Sequence, residues 1–314
     1  MSSAGQIRVL LGPQSPQQNI AEAVAEAGLP AGPLAVISAA WQEAEGDIDV
    51  ISKLLGRELE DLYLYRRGEE LMANHPELEA AARLRQHKLM DRQRMYRIRL
   101  KQLSIAARHM LKENGDSELV ASEQRHAIAQ LRALDRHHLH RSESIWRDFC
   151  DAYNPDSYPE LARQAQELGE IFDRCAGVVI TGGNVAILIN RMRLFGIDEQ
   201  LEKCNIVAWS AGAMALAERV VLFHDRSPEG RRDAEVLGAG CGVIPGYVFL
   251  PNTKQRLRTG DRLRVELLSR RFSPDTCVAL DNGAALRLDD SGVQQANTVR
   301  RLNHDGRFVK LRAA

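Results

Sequence analysis

The chain reads as an α/β protein: a parallel sheet flanked by helices, interrupted by a long inserted helical hairpin. Short apolar runs alternate with helical patterns over residues 1–65 and again from Gly177 onward. That alternation is the signature of a parallel sheet covered by helices. Between these stretches, over residues 66–153, the only glycines and prolines are Gly68, Pro76 and Gly115, so helices there can run long without a breaker. Residues 1–65 are therefore expected to form the first part of the α/β domain, 66–169 a helical insertion, and 170–314 the second part.

The elements follow in order. Residues 7–11 are an apolar strand closed by Gly12-Pro13, residues 18–27 a short helix, and 33–38 a second strand. A helix over 47–59 and a third strand over 61–65 complete the first part. In the insertion, Leu89, Tyr96, Leu100, Leu103, Ala107 and Met110 keep helical spacing, as do Val120, Ala127, Leu131, Leu134, Ile145 and Phe149. Asn114-Gly115-Asp116 separates the two runs as a cap and turn. This predicts a hairpin projecting from the α/β domain, with arms of roughly 35 residues, each about 50 Å long. A further helix over 159–173 leads back to the sheet.

Two segments of the second part carry chemistry. Residues 206–209 form an apolar strand that runs into Ser210, set among Ala208, Ala211, Gly212 and Ala213, with a helix-like stretch over 214–221. A serine between small residues at a sharp strand-to-helix turn is the layout of a nucleophile elbow, with Ala208 standing where the general pattern has its first glycine. Val178-Val179-Ile180 is a second short strand, followed by Thr181-Gly182-Gly183-Asn184 and an apolar helix over 185–195. Consecutive glycines after a strand let backbone N–H groups face a site, as an oxyanion hole requires. The plainer reading of each segment alone is an ordinary tight turn; together they point to a site at the strands' C-terminal edge.

Gly182-Gly183-Asn184, the Trp209–Ala213 block and the run from Ala279 through Asp281-Asn282-Gly283 to Ala285 resemble the dipeptidase E and cyanophycinase family of serine peptidases. The likeness covers residues 170–290 well and residues 1–65 loosely. It implies a class I glutamine amidotransferase-like fold and a Ser-His-Asp/Glu hydrolase of peptide or amide bonds, with no metal or cofactor. Ser210 would be the nucleophile, and the N–H groups around Gly182, Gly183 and Ala211 would hold the oxyanion. Asp281, or its neighbour Asn282, would be the acid, and Asn184 and Asn252 would meet the substrate. Asn252 in fact falls in or beside the place of the family's histidine, and no histidine lies between His224 and His304. Val185 also replaces a polar residue that commonly follows Gly-Gly-Asn. A serine needs an adjacent base to be a competent nucleophile, so a base would have to come from His224 or from His137 to His140.

Composition narrows the class. Equal numbers of basic and acidic residues, 42 of each, give zero formal charge, without a global pull toward nucleic acid or membrane. Five cysteines without a close pair fit a reducing compartment rather than a disulfide frame. No stretch is apolar enough to span a bilayer and the N-terminal residues do not resemble a leader, so a cytoplasmic protein is expected. Within the hairpin, Arg83, Arg85, Lys88, Arg92, Arg94, Arg97, Arg99, Lys101, Arg108 and Lys112 stand against one acid, Asp91, between residues 83 and 112. This arm either grips a nucleic acid or other polyanion, or pairs with acids of its partner arm such as Glu118, Glu123, Asp135, Glu143 and Asp148; the second reading is favoured. His137, His140 and Glu143 share a helix face, but without a second ligand cluster the reading is a polar stripe rather than a metal site. Apolar stripes along both arms predict a homodimer through the hairpin.

Two functional readings stay open. One is a serine peptidase-like hydrolase acting on a peptide or small amide, impaired by its missing histidine. The other is a non-catalytic relative that serves as a binding or assembly module through its helical insertion.

Overall fold

The computed structural model describes residues 5–113, 117–154, 157–225 and 233–313. The expected turn at Asn114-Gly115-Asp116 lies outside the described residues. In chain order, β1 (Arg8–Leu11), α1 (Ile20–Ala27), β2 (Leu34–Ile37), α2 (Asp49–Leu55) and β3 (Leu59–Asp61) lead to the helices α3 (Leu64–Asn74), α4 (Pro76–Lys112), α5 (Glu118–Tyr153) and α6 (Pro159–Arg174). The chain returns to the sheet with β4 (Val178–Ile180), α7 (Val185–Leu194), α8 (Asp198–Glu202), β5 (Ile206–Trp209) and α9 (Ala211–Ala215). It continues through β6 (Arg219–Leu222), β7 (Glu235–Ala239), β8 (Tyr247–Pro251), α10 (Thr253–Arg256) and α11 (Arg262–Phe272). It ends with β9 (Thr276–Leu280), β10 (Ala285–Asp289), β11 (Gly292–Asn297), β12 (Arg300–Leu302) and β13 (Phe308–Lys310).

Seven strands form the main sheet in the order β11-β10-β1-β5-β4-β2-β3. The five from β1 to β3 are mutually parallel, and β10 closes one side antiparallel to β1. Strands β2, β4 and β5 are buried along their whole length, as expected where helices cover both faces. Val9, Leu11, Val36, Val179 and Val207 point toward α1 and α2, together with Trp209. Leu10, Ile37, Ile180 and Ala208 point the other way, into a core shared with α3, α6, α7 and α9. Because Leu11 pairs with Trp209, and Ile180 with both Ala208 and Ile37, the loops after β1, β2, β4 and β5 gather at one edge. A smaller sheet, β13-β12-β9-β8, and the β6-β7 hairpin stand beside the main one.

The third strand is Leu59–Asp61 and meets the expected span of 61–65 only at Asp61. The Asp61 carboxylate takes the Tyr63 N–H at 2.8 Å and the Ser38 hydroxyl, and Tyr63 turns to φ 50°. Glu45 then caps the Tyr65 and Arg66 N–H groups at 2.8 Å each. A carboxylate at a helix N-terminus favours the helix, so residues 64 and 65 open α3 instead of continuing the strand. Burial pushes both carboxyls above their usual pKa range. The helix after Ser210 is also shorter than expected. Residues 219–222 pair with β7, where Gly240 packs so close that a Cβ would lie 2.1 Å from the Ala217 carbonyl oxygen.

The hairpin arms have 37 and 36 residues, and among the described residues no strand interrupts them. They do not project. Tyr96, Leu100, Ala107, Ile128, Leu131 and Leu134 share a core with Val221, Phe223, Val236, Val265, Leu268 and Phe272 of the β6-β7 hairpin and α11. Most of the apolar surface on which a dimer was expected is therefore covered within the chain. Leu84, Met90, Met95, Ile98 and Ile105 remain exposed on α4. Arg83 and Arg94 pair within the arm, with Glu79 and Asp91, while Glu235 holds Arg97 at 2.6 Å and Asp233 holds Arg108. Glu143 pairs instead with Arg193 of α7 at 2.9 Å.

One polar cluster fastens the arms to the body. Asp135 of α5, 2% exposed, accepts Arg271 Nε at 2.7 Å and Nη2 at 2.6 Å. The Tyr96 hydroxyl of α4 donates to Asp135 at 2.8 Å and accepts from Arg271 at 2.7 Å and from the Val236 N–H at 3.1 Å. Arg271 Nη1 donates to the Ala234 carbonyl at 2.7 Å. His138 stacks on Tyr96 with ring centroids 4.1 Å apart. Burial, then the neighbouring Arg92, push its pKa from 6.5 down to about 4.

Asp135→Ala strands the Arg271 charge and is expected to lower unfolding free energy by about 3–5 kcal/mol in a urea titration. Acid acts through His138. Below pH 6.5 the unfolded chain binds a proton that the folded chain refuses until about pH 4. Stability therefore falls as pH drops across that window, by roughly 3 kcal/mol. Melting curves at several pH values check this: the slope should flatten in His138→Phe.

Candidate active site

Strand β5 delivers Ser210 to the gathered edge. Its N–H completes the β1 ladder at Leu11 O, 3.1 Å, and its carbonyl accepts the Met214 N–H at 3.1 Å. Between those two bonds the chain must turn from strand to helix within one residue, and Ser210 adopts φ 49°, ψ −112°. This is a conformation that a non-glycine residue holds only at a cost of about 1–3 kcal/mol, and such strain clusters at functional sites. Ala211 is the first residue of α9, so its N–H has no partner within the helix.

The neighbouring glycines are required by contact. A Cβ on Gly212 would lie 2.4 Å from the Ile180 carbonyl oxygen. One on Gly182 would meet the Trp209 ring at 2.9 Å and the Ser210 Cβ at 3.0 Å. Gly183, at φ 138°, would press 2.6 Å against the Ala40 carbonyl oxygen. Asn184 follows, but its Oδ1 is used to cap α7 through the N–H groups of Ala186 and Ile187, at 3.1 and 3.3 Å. Asn184 is not on the cleft wall; Val185 is.

Ser210, Ala211, Gly182 and Gly183 line a cleft of about 560 Å³. Trp41, Asp47, Val50, Ile51 and Leu54 bound it on the α2 side, and Leu222, Pro251, Asn252 and Arg256 on another. Asn252 is at the end of β8 with φ 62°, a left-handed conformation that asparagine tolerates. Its N–H reaches the Leu280 carbonyl at 2.9 Å and its Nδ2 donates to Gln255 Oε1 at 2.8 Å. The cleft thus brings together Ser210, the glycine turn, Ala211 and Asn252. Among the described residues no histidine lines it.

Asp281 lies just behind that wall. It is 5% exposed and accepts Thr253 Oγ1 at 2.9 Å, the Lys254 N–H at 2.8 Å and Arg300 Nη2 at 2.8 Å. Its carboxylate holds the turn that carries Asn252 and does not itself line the cleft. Asn282 is bound to the Pro13 carbonyl at 2.6 Å. His224 packs beside Phe223, ring centroids 6.4 Å apart, and does not line the cleft either. Its neighbour Asp225, 1% exposed, binds the Arg264 guanidinium and the Arg258 N–H at 3.1 Å. His137 and His140 are on the α5 face near Arg92, Arg99 and Arg141; desolvation first, then those arginines, lower the His137 pKa. No group of three or more metal-ligating side chains occurs among the described residues.

Sequence reasoning missed Trp41, Asp47, Val50, Leu54 and Arg256. Arg256 had a faint signal, one helical turn after Asn252. The α2 residues had none, because their relevance depends on how α2 lies over the edge.

No protein-family model matches the sequence, and no curated protein matches it. Among solved structures, the chain is similar to the crystal structure of a peptidase from an acI-B1 Actinobacterium. That match covers 98% of this chain and 97% of the other, at 15% identity and a TM-score of 0.45. A likeness at that level carries no argument about activity, and the architecture rests on the strand order and register themselves.

The glycine contacts make a paired prediction. Gly212→Ala drives a methyl into backbone and is expected to destabilise by about 1–3 kcal/mol or more. Gly169→Ala in α6, where nothing lies within 4 Å, should instead stabilise by roughly 0.5–1 kcal/mol. Urea titrations of both variants provide the check.

Proposed function

We propose that the cleft is the substrate site of a peptidase-like serine hydrolase whose turnover is impaired by the residue at position 252. One observation carries the reading: Ser210 holds a strained elbow at the floor of a cleft, beside glycine and helix-start amides. The resemblance of these segments to the dipeptidase E family supplies the chemistry. Ser210 Oγ attacks the substrate carbonyl carbon, the carbonyl oxygen becomes an oxyanion against the N–H groups of Gly183 and Ala211, the C–N bond breaks as the serine proton passes to the amine, and water then cleaves the acyl-serine to release the acid. The serine proton needs an acceptor, and the leaving amine needs a donor. An amide at Asn252 is neither. Asp281 positions the Asn252 turn through Thr253 and Lys254.

That no histidine lines the cleft among the described residues favours a second reading, a non-catalytic module that binds a peptide or small amide in the same place. Labelling with a fluorophosphonate separates the two. Covalent labelling of the native protein, lost in Ser210→Ala, establishes an activated serine; its absence in both, with ligand binding retained, establishes the module. If the rest of the site is intact, Asn252→His is expected to raise hydrolysis of a small amide by about 10²–10⁴-fold. Robust native turnover abolished at another histidine would show that the base has moved. A homodimer, which we propose through Leu84, Met95, Ile98 and Ile105 on α4, is read by sedimentation at micromolar concentration.

A further inference from the structure

The basic arm keeps a group of cations that the fold itself does not use. Arg83, Arg94, Arg97 and Arg108 each hold a carboxylate, and Arg85 lies over the Trp146 and Phe149 rings. Arg92 and Arg99 of α4 and Arg141 of α5, by contrast, form no hydrogen bond or ion pair among the described residues. The helices bring these three together. With Arg85 on Trp146 and Tyr96 on His138, the arms run antiparallel in a fixed register. Arg92, between those contacts on α4, therefore falls beside Arg141, between them on α5. Arg99, one turn past Tyr96, falls beside His137. Arg92 and Arg99 share a face of α4 about 10 Å apart, and His137, His140 and Arg141 share a face of α5.

Like charges held this close repel, and the repulsion is visible on both helices. Burial first, then Arg141 and Arg99, lower the Arg92 pKa. Desolvation first, then Arg92, Arg99, Arg141 and His140, lower that of His137. Arg92 is half-buried and its Nε has no hydrogen-bond partner, so part of its hydration is already lost before a ligand arrives. Arg99, His137, His140 and Arg141 are exposed and open to an anion. A lone surface arginine needs no partner; three that converge without a carboxylate do.

We infer that this face of the hairpin binds a compact oligophosphate, free or carried by a nucleoside, gripped by Arg92, Arg99 and Arg141 with His137 and His140 beside it. Each guanidinium presents a planar fork that fits a pair of anionic oxygens. Forks spread over about 10 Å call for a chain of anionic groups rather than a single one, and a triphosphate offers a charged group to each arginine. The zero formal charge of the whole chain supplies no wider field to hold a nucleic acid. None of these five residues lines the Ser210 cleft, so the two sites stand or fall separately.

The test is calorimetric titration of the full chain at neutral pH and about 0.1 M salt with tripolyphosphate, ATP, citrate and sulfate. Tripolyphosphate should bind at a saturable site, about 10-fold or more tightly than citrate or sulfate. Arg99→Gln and Arg141→Gln, at exposed positions that leave folding intact, should each weaken it by about 10-fold. Arg83→Gln removes an equal charge from the same helix and should change it by no more than about 2-fold. Tripolyphosphate should also raise the His137 pKa, followed by NMR, in the native protein and not in the Arg99→Gln/Arg141→Gln double variant. ATP binding equal to that of tripolyphosphate shows that phosphates alone are read; tighter ATP binding shows a nucleoside-borne source. No saturable tripolyphosphate binding at millimolar concentration, equal binding of citrate or sulfate, or equal damage from Arg83→Gln overturns the inference. A DNA duplex that binds where tripolyphosphate does not also overturns it, in favour of a nucleic acid.

Discussion

At the C-terminal edge of the main sheet, backbone packs against backbone, and the rest of the site follows from that. Gly212 leaves no room for a side chain against the Ile180 carbonyl, Gly182 none against Trp209 and Ser210, and Gly12 none against the Asp281 carbonyl, where a Cβ would lie 1.9 Å away. Four loops are drawn together so tightly that the turn after β5 must be made in one residue. Ser210 takes the strain at the head of α9. A looser edge would let Ser210 relax to an ordinary helix start, and the cleft would lose its floor.

The hairpin is tied into this arrangement rather than appended to it. Asp135 and Tyr96 clamp Arg271 of α11, and α11 packs on β9. Strand β9 pairs in parallel with β8, Pro251 opposite Leu280, and the next residue is Asn252. A buried bidentate pair of this kind is costly to break once formed. The two long helices therefore act as a brace for the smaller sheet, which supplies one wall of the cleft.

Carboxylates near the site are spent on holding backbone. Asp281 secures the α10 turn, Asp225 secures Arg258 and Arg264, and Glu45 with Asp61 sets the start of α3. None of these four lines the cleft. Among the described residues, the charged side chains that line it are Asp47 and Arg256.

The α/β class, the Ser210 elbow, the glycine turn and the length of both hairpin arms were all legible in the sequence. Each depends on local rules: period in the apolar pattern, small residues where chain packs on chain, and the absence of helix breakers. The resemblance to the dipeptidase E family also led to the expectation that Asn252 occupies a histidine's place. It did not show that residues 64 and 65 begin a helix, because that choice belongs to Glu45, distant in sequence and buried with them. Nor did it show that the arms lie down on the body, since an apolar stripe does not name the surface that will cover it. Asp281 reads in sequence as a triad acid and stands in the structure as the anchor of a turn. Which side chains face one cleft is decided by how separate loops converge in three dimensions, and that convergence leaves no periodicity in the chain to read.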